Sequence, residues 1–224
     1  MALMLEGNMF LRKDSYLVRT VEIAACLAVG LLIAGIAESY YERFEAQKLL
    51  AALPDIQVGF TTESRAKEIM KPFFRYSTLS TYPKGSADTF DQYFFRNRTL
   101  SLLHVSPATY VWITVDYQNG IVISKHAQAA SDPRSSGSIY ELVSNPPPTS
   151  VEQTDKGRTV DIGGGAPGPY FVIKVRDDIT TPLARRKLDW QMDLSCLTWR
   201  KGCTDPRKTL YGAFLPVVAS ERSN

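Results

Sequence analysis

The sequence predicts an α+β protein: an N-terminal transmembrane helix, then a mostly antiparallel β-sheet domain with a short helix and a C-terminal disulfide loop. An apolar stretch near the N-terminus, alternating strand patterns around an Asn-Gly pair, and two closely spaced cysteines near the C-terminus lead to it. The chain has 224 residues, 44% hydrophobic, 11% aromatic and 22% charged. Those proportions belong to a folded chain and exclude wholesale disorder, a collagen-like repeat or a many-span membrane protein. With 3 cysteines it is not a disulfide-dense miniprotein.

Residues 20–37 are apolar except for Glu22, and residues 23–37 carry no charge. As a helix this stretch is about 27 Å long, close to the ~30 Å of bilayer hydrocarbon. Residues such as Ile23, Leu27, Leu31 and Ile33 each favour insertion by roughly 0.3–0.6 kcal/mol. A cleaved signal peptide would use Arg12, Lys13 and Arg19 as its basic region and residues 35–37 as its cleavage site. A buried core helix would carry a polar face, whereas here every face is apolar. An uncleaved anchor fits best. Residues 38–53 continue as helix formers without Gly or Pro until Pro54, and Tyr16, Tyr40 and Tyr41 stand where interfacial aromatic residues belong.

The expected organisation is a short cytoplasmic N-terminus (1–19), the span (20–37), a juxtamembrane helix (38–53) and an extracytoplasmic α+β domain (54–224). Arg12, Lys13 and Arg19 before the span outnumber Arg43 and Lys48 after it, which places the N-terminus in the cytoplasm. Cys26, Gly30 and Ala34 recur every four residues, a small-residue face suited to a second helix. The expected partners are therefore the lipid bilayer and, through that face, another membrane protein or a second copy of the chain.

Beyond Pro54, Thr61 or Thr62 caps a short helix reaching about Lys71, with Ile69 and Met70 facing the core and Pro72 closing it. Residues 110–118 and 121–128 flank Asn119-Gly120, the pair that a two-residue type I′ hairpin turn favours. Counting outward pairs Tyr117 with Val122, Val115 with Ser124 and Ile113 with His126. Val111, Ile113, Val115 and Tyr117 then form one apolar face, while Lys125 joins Trp112, Thr114 and Asp116 on the other. Residues 100–105 and 170–176 read as further strands, with 151–153 and 159–162 as shorter ones. Residues 131–137, 146–148 and 163–169 read as loops.

Cys196 and Cys203 are spaced to close a small loop, a disulfide contributing roughly 2 kcal/mol. A zinc site would need further ligands nearby, and neither histidine is close in sequence. His104 and His126 both read as hydrogen-bonded sheet residues. There is no Gly-x-Ser-x-Gly elbow, no helix pairs two carboxylates on an apolar background, and Pro167 and Pro169 follow Gly163-Gly164-Gly165 where a phosphate cradle would start a helix. No catalytic residue, metal or cofactor is therefore expected. Asn97-Arg98-Thr99 has the form of an N-glycosylation acceptor. Residues 55–224 hold 21 Lys and Arg against 17 Asp and Glu. The excess gathers at Arg185, Arg186, Lys187, Arg200, Lys201, Arg207 and Lys208, a candidate patch for an anionic partner. Nucleic acid is not expected, since no recognition motif accompanies the charge.

The run Asp193-Leu194-Ser195-Cys196-Leu197-Thr198, followed by Gly202-Cys203, resembles a C-terminal signature of uncharacterised single-span membrane-anchored bacterial proteins. That resemblance implies an anchored domain and brings no catalytic residues. The layout also resembles type IV pilins, which join a long N-terminal helix to an antiparallel sheet and often close a C-terminal disulfide loop. Glu22 would then be the acidic fifth residue of the mature chain, but Leu17 stands where the processing glycine is expected. The leading expectation is a non-catalytic membrane-anchored module that binds or positions another envelope component. The alternatives are an anchored enzyme with a cleft near His126, Asp116 and Trp112, and a pilin-like filament subunit.

Overall fold

A computed structural model of the chain describes residues 6–78, 88–131, 135–143, 153–155, 158–165, 170–198, 203 and 205–216. The fold is α+β, with a long apolar N-terminal helix, a mostly antiparallel sheet, short helices and a Cys196–Cys203 disulfide. Helix α1 (Glu6–Ala52) runs unbroken for 47 residues, about 70 Å at 1.5 Å per residue. Its two halves differ in what surrounds them. Val21, Ile23, Leu27, Val29, Leu31 and Ile33 are exposed, whereas from Gly35 onward one stripe is buried: Ser39, Ala46, Leu49 and Leu50, continued by Leu53. Steps of three, four and seven keep those residues on one side of the helix, the side that packs on the sheet. Pro54 ends α1 in a 3-10 turn, Leu53–Asp55, whose chain then buries Ile56 and Val58.

Helix α2 (Glu63–Met70) starts where Thr62 Oγ1 accepts the Arg65 amide at 3.3 Å, the cap expected from the sequence. Met70 is fully buried and Ile69 packs against the core. Among the described residues the strands are β1 (Ser77–Thr78), β2 (Asp88–Arg96), β3 (Thr109–Gln118), β4 (Ile121–Ser131), β5 (Ser135–Leu142), β6 (Gln153–Asp155), β7 (Arg158–Gly165) and β8 (Tyr170–Asp178). Their order is β1-β2-β3-β4-β5-β8-β7-β6. Every pair is antiparallel except β5 with β8. Helices α3 (Arg98–Leu102), α4 (Leu183–Asp189) and α5 (Pro206–Thr209) are short. One face of the sheet carries Phe95, Val111, Ile113, Val115, Tyr117, Ala127, Ile139, Ile173 and Val175 into the core beneath α1.

The hairpin forms as expected, with Asn119 at φ 52° and Gly120 at φ 75°. Its register does not. Asp116 faces Ser124 while Tyr117 faces Val122, so Ile123 is an extra residue and a bulge. A one-residue slip moves every later side chain to the opposite face. Val115 therefore faces Lys125 and Ile113 faces Ala127, not Ser124 and His126. Lys125 goes into the core and His126 to the outer face, the reverse of the sequence expectation.

Three further expectations are corrected. Residues 100–105 are not a strand: α3 and a turn occupy them, with His104 exposed at φ 56°. Only Leu100 of that apolar run is buried, so no alternating face was available to build a strand. Residues 131–137 belong mostly to strands, since β4 runs to Ser131 and β5 begins at Ser135; their small side chains offered no β-propensity signal. Gly163–Gly165 complete β7 instead of forming a loop. The expected loop at 146–148 lies outside the described residues, as do residues 1–5.

Candidate functional site

The most elaborate chemistry in the molecule lies where α1 enters the domain. Once the bulge turns Lys125 inward, its ammonium must find partners, because a lysine left unpaired in a core is strongly disfavoured. Nζ donates to Leu53 O and Ile56 O, both at 2.8 Å, and pairs with Glu141 Oε2 at 3.0 Å. It also lies 4.9 Å from the Trp190 ring centroid. Both carbonyls lie in the turn that ends α1; Leu53 O also accepts the Ile56 amide at 3.0 Å, and Lys125 adds a donor that the helix end does not supply. Lys125 thus fastens the last turn of the long helix to the centre of the sheet. Burial lowers its pKa and the Glu141 carboxylate opposes that shift. Glu141 is itself saturated, accepting from Arg186 Nη1 at 2.7 Å and Trp190 Nε1 at 3.1 Å.

A second buried cluster binds the C-terminal segment to the sheet edge. Arg158 on β7 donates to Asp189 through Nε at 2.8 Å and Nη2 at 3.1 Å, and to Ala213 O at 2.9 Å. Arg185 also donates to Asp189, and to Gly212 O at 2.9 Å and Leu215 O at 2.6 Å. Bidentate guanidinium–carboxylate contacts satisfy most donors of both arginines. Asp177 beside them is fully buried, and neither of its oxygens accepts a hydrogen bond among the described residues. Burial first, and then the neighbouring Asp189 carboxylate, push its pKa up to about 8. Its nearest cation is Arg158 Nε at 3.9 Å.

Further contacts fasten α1. A Cβ on Gly35 would lie 2.9 Å from Thr99 Cγ2, so glycine is needed for α3 to approach. The Thr99 hydroxyl donates to Glu38 one turn later. Arg75 donates to the Tyr41 hydroxyl, pairs with Glu45 Oε2 at 3.2 Å and stacks over Tyr76. Arg43 lies 3.9 Å from Asp193, at the start of the 3-10 turn Leu194–Leu197 that carries Cys196. The disulfide closes as the spacing suggested, and its second half is held by the Cys203 amide donating to Ser131 Oγ at 2.5 Å.

Other candidates are dispersed. Arg185 and Arg186 turn inward to Asp189 and Glu141 and so leave the basic patch, because buried carboxylates there need cations. Lys187, Arg207 and Lys208 are exposed, and Arg200 and Lys201 lie outside the described residues. Cys26, Gly30 and Ala34 are exposed on α1, with nothing within 4 Å of a Cβ on Gly30. His126 stacks on Tyr140 at 4.0 Å with Trp112 at 6.4 Å, and burial, then Lys174, lower its pKa to about 4. Asp116 accepts from Ser124, and its pKa is raised chiefly by burial. Asn97 is buried as a structural lock: its amide donates to Ser106 Oγ at 2.7 Å and Pro107 O at 3.0 Å, and Oδ1 accepts the Thr109 amide. Among the described residues, no group of three His, Cys, Asp or Glu is placed to hold a metal.

Sequence reasoning missed Lys125, Glu141, Arg158, Asp177 and Asp189. The alternation of β8 places Asp177 in line with Ile173 and Val175, which was the one usable hint of a buried carboxylate. No family model, curated protein or solved structure matches the chain.

Proposed function

We propose that the protein is a non-catalytic, membrane-anchored module that holds its α+β domain at a set height and rotation above the bilayer so that it binds or positions another envelope component. The single observation that supports this reading is the continuity of α1: one helix runs from the apolar exposed stretch into the core without a hinge, and buried Lys125 clamps its end. A flexible tether would need no such clamp. In this reading the N-terminus is cytoplasmic and the domain, with its disulfide, lies outside.

Helical phase provides the test. Two alanines inserted between Ile33 and Ala34 rotate the domain by about 200° relative to the span and leave the docked stripe untouched, whereas seven residues restore the phase. Pull-down of the full chain after mild detergent extraction should recover a partner from native cells and lose it with the two-residue insertion. Recovery of no partner, together with catalytic turnover in a substrate survey, would overturn the proposal.

The pilin-like reading draws on the same layout, a long helix whose second half packs on an antiparallel sheet beside a C-terminal disulfide. The intact mass of the mature protein separates the two, since a pilin loses residues 1–17 on processing.

A further inference from the structure

The level at which α3 meets α1 has a physical meaning. Gly35, where Thr99 and Leu100 pack, lies three residues before Glu38, the first charge after the apolar stretch. That is about 4.5 Å of helix. If α1 crosses a bilayer of ~30 Å hydrocarbon, α3 lies at the boundary between acyl chains and headgroups. At that level α3 exposes Leu102 at 76% and the next residue, Leu103, at 37%. Ile33 and Ile36 on α1 are exposed at the same height.

Beside α3 is an open cleft of about 350 Å³ lined by Phe94, Arg96, Arg98, Ser101, Leu102 and Tyr110. Both arginines are exposed and neither makes an ion pair within 4.0 Å among the described residues, although the Glu42 carboxylate accepts from the Arg96 backbone amide and acts on its charge. Arg96 lies over the Phe94 ring at 6.0 Å, and Phe94 stacks on Tyr110 at 5.6 Å. One guanidinium over an aromatic floor and a second lining the same cleft, next to exposed leucines, suit a phosphate whose other end is apolar.

We propose that α3 and this cleft form a second membrane contact: Leu102 and Leu103 enter the edge of the acyl region, and Arg96 and Arg98 hold the phosphate of an anionic phospholipid. The proposal rests on α1 spanning that bilayer. Gln118, at the other end of β3 and about 30 Å from Thr109, serves as the control position.

The test uses the full chain with Cys26→Ser and its disulfide intact, in vesicles of phosphatidylcholine and phosphatidylglycerol. Nitroxide labels are attached in turn at Ile23→Cys, Leu102→Cys and Gln118→Cys. Positions 23 and 102 should be more accessible to oxygen than to a water-soluble nickel complex, and position 118 the reverse. If 102 behaves like 118 while 23 reports hydrocarbon, the proposal fails and the span stands. If 23 also reports water, the span itself fails and takes the proposal with it. For the phosphate, spin-labelled phosphatidylglycerol should be enriched over phosphatidylcholine around the protein by about fivefold per arginine at low salt. The Arg96→Gln/Arg98→Gln variant should abolish the preference, and millimolar inorganic phosphate should leave the native preference intact. Equal partition of the two lipids, or displacement by phosphate, would overturn the lipid assignment.

Discussion

From Val18 to Ala34, α1 shows its apolar side chains to the surroundings on every face; after Gly35, the same helix hides one stripe. Leu27 is 64% exposed and Leu49 is fully buried, although both are leucines in the middle of helical runs. The first half has the pattern of a helix meant for lipid, and the second that of a helix meant for a sheet. One uninterrupted element thus carries two burial patterns, and at the join the buried apolar stripe is fastened by the Lys125–Glu141 pair.

The sharpest way to break the comparison is at the join. Lys125→Ala removes a donor from the Leu53 and Ile56 carbonyls and leaves Glu141 with one cation fewer in the core, so it should cost about 3–5 kcal/mol of domain stability. Leu49→Ala should cost about 2–5 kcal/mol by transfer and cavity terms, while Leu27→Ala, in the exposed half, should leave the domain unfolding midpoint unchanged. Thermal or denaturant unfolding of the full chain in detergent measures all three. An equal loss from Leu27→Ala would show that the halves do not differ.

Smaller effects should follow the same division. Replacing Cys196 and Cys203 together by serine should cost roughly 2–3 kcal/mol, measured by the denaturant midpoint with and without reductant. Gly35→Leu should cost about 1–3 kcal/mol by forcing α3 away, whereas Gly30→Leu, with open space around it, should leave the domain unaffected.

Two buried titrating groups add effects that emerge only as pH is varied. Burial raises Asp177 from 3.8 to about 8, so the folded protein binds more protons than the unfolded chain, and stability falls as pH climbs from about 4 to about 8. Asp177→Asn should remove that slope, be nearly silent near pH 4 and gain on the native protein as pH rises toward 8. His126 is lowered from 6.5 to about 4, so stability falls as pH drops through that interval, and His126→Gln should flatten the acid limb. Midpoints measured across pH 4 to 9 with each variant decide both; unchanged slopes would show that these groups do not carry the pH dependence.

Much of the fold could be read without coordinates because it depends on local rules. The apolar run from Thr20, the Thr62 cap, the Asn119-Gly120 turn and the alternation of β8 each signal structure through neighbours a few residues apart. β2 and β5 escaped detection for different reasons. Polar residues interrupt the aromatic run of β2, and β5 opens on Ser135, Ser136, Gly137 and Ser138. The candidate site was hardly readable at all. A lysine between a serine and a histidine in a strand looks like surface, and only the extra residue Ile123 reverses it.

Sequence was sufficient for an apolar helix long enough to cross a membrane, an antiparallel hairpin and a pair of cysteines in bonding range, since composition and short-range periodicity encode all three. Which face of β4 looks inward, which arginines leave the surface, and that α1 joins the domain without a hinge depended on packing between segments tens of residues apart. A bulge shifts register without an unambiguous sequence mark, and a buried charge is tolerable only when its distant partners have already been brought beside it.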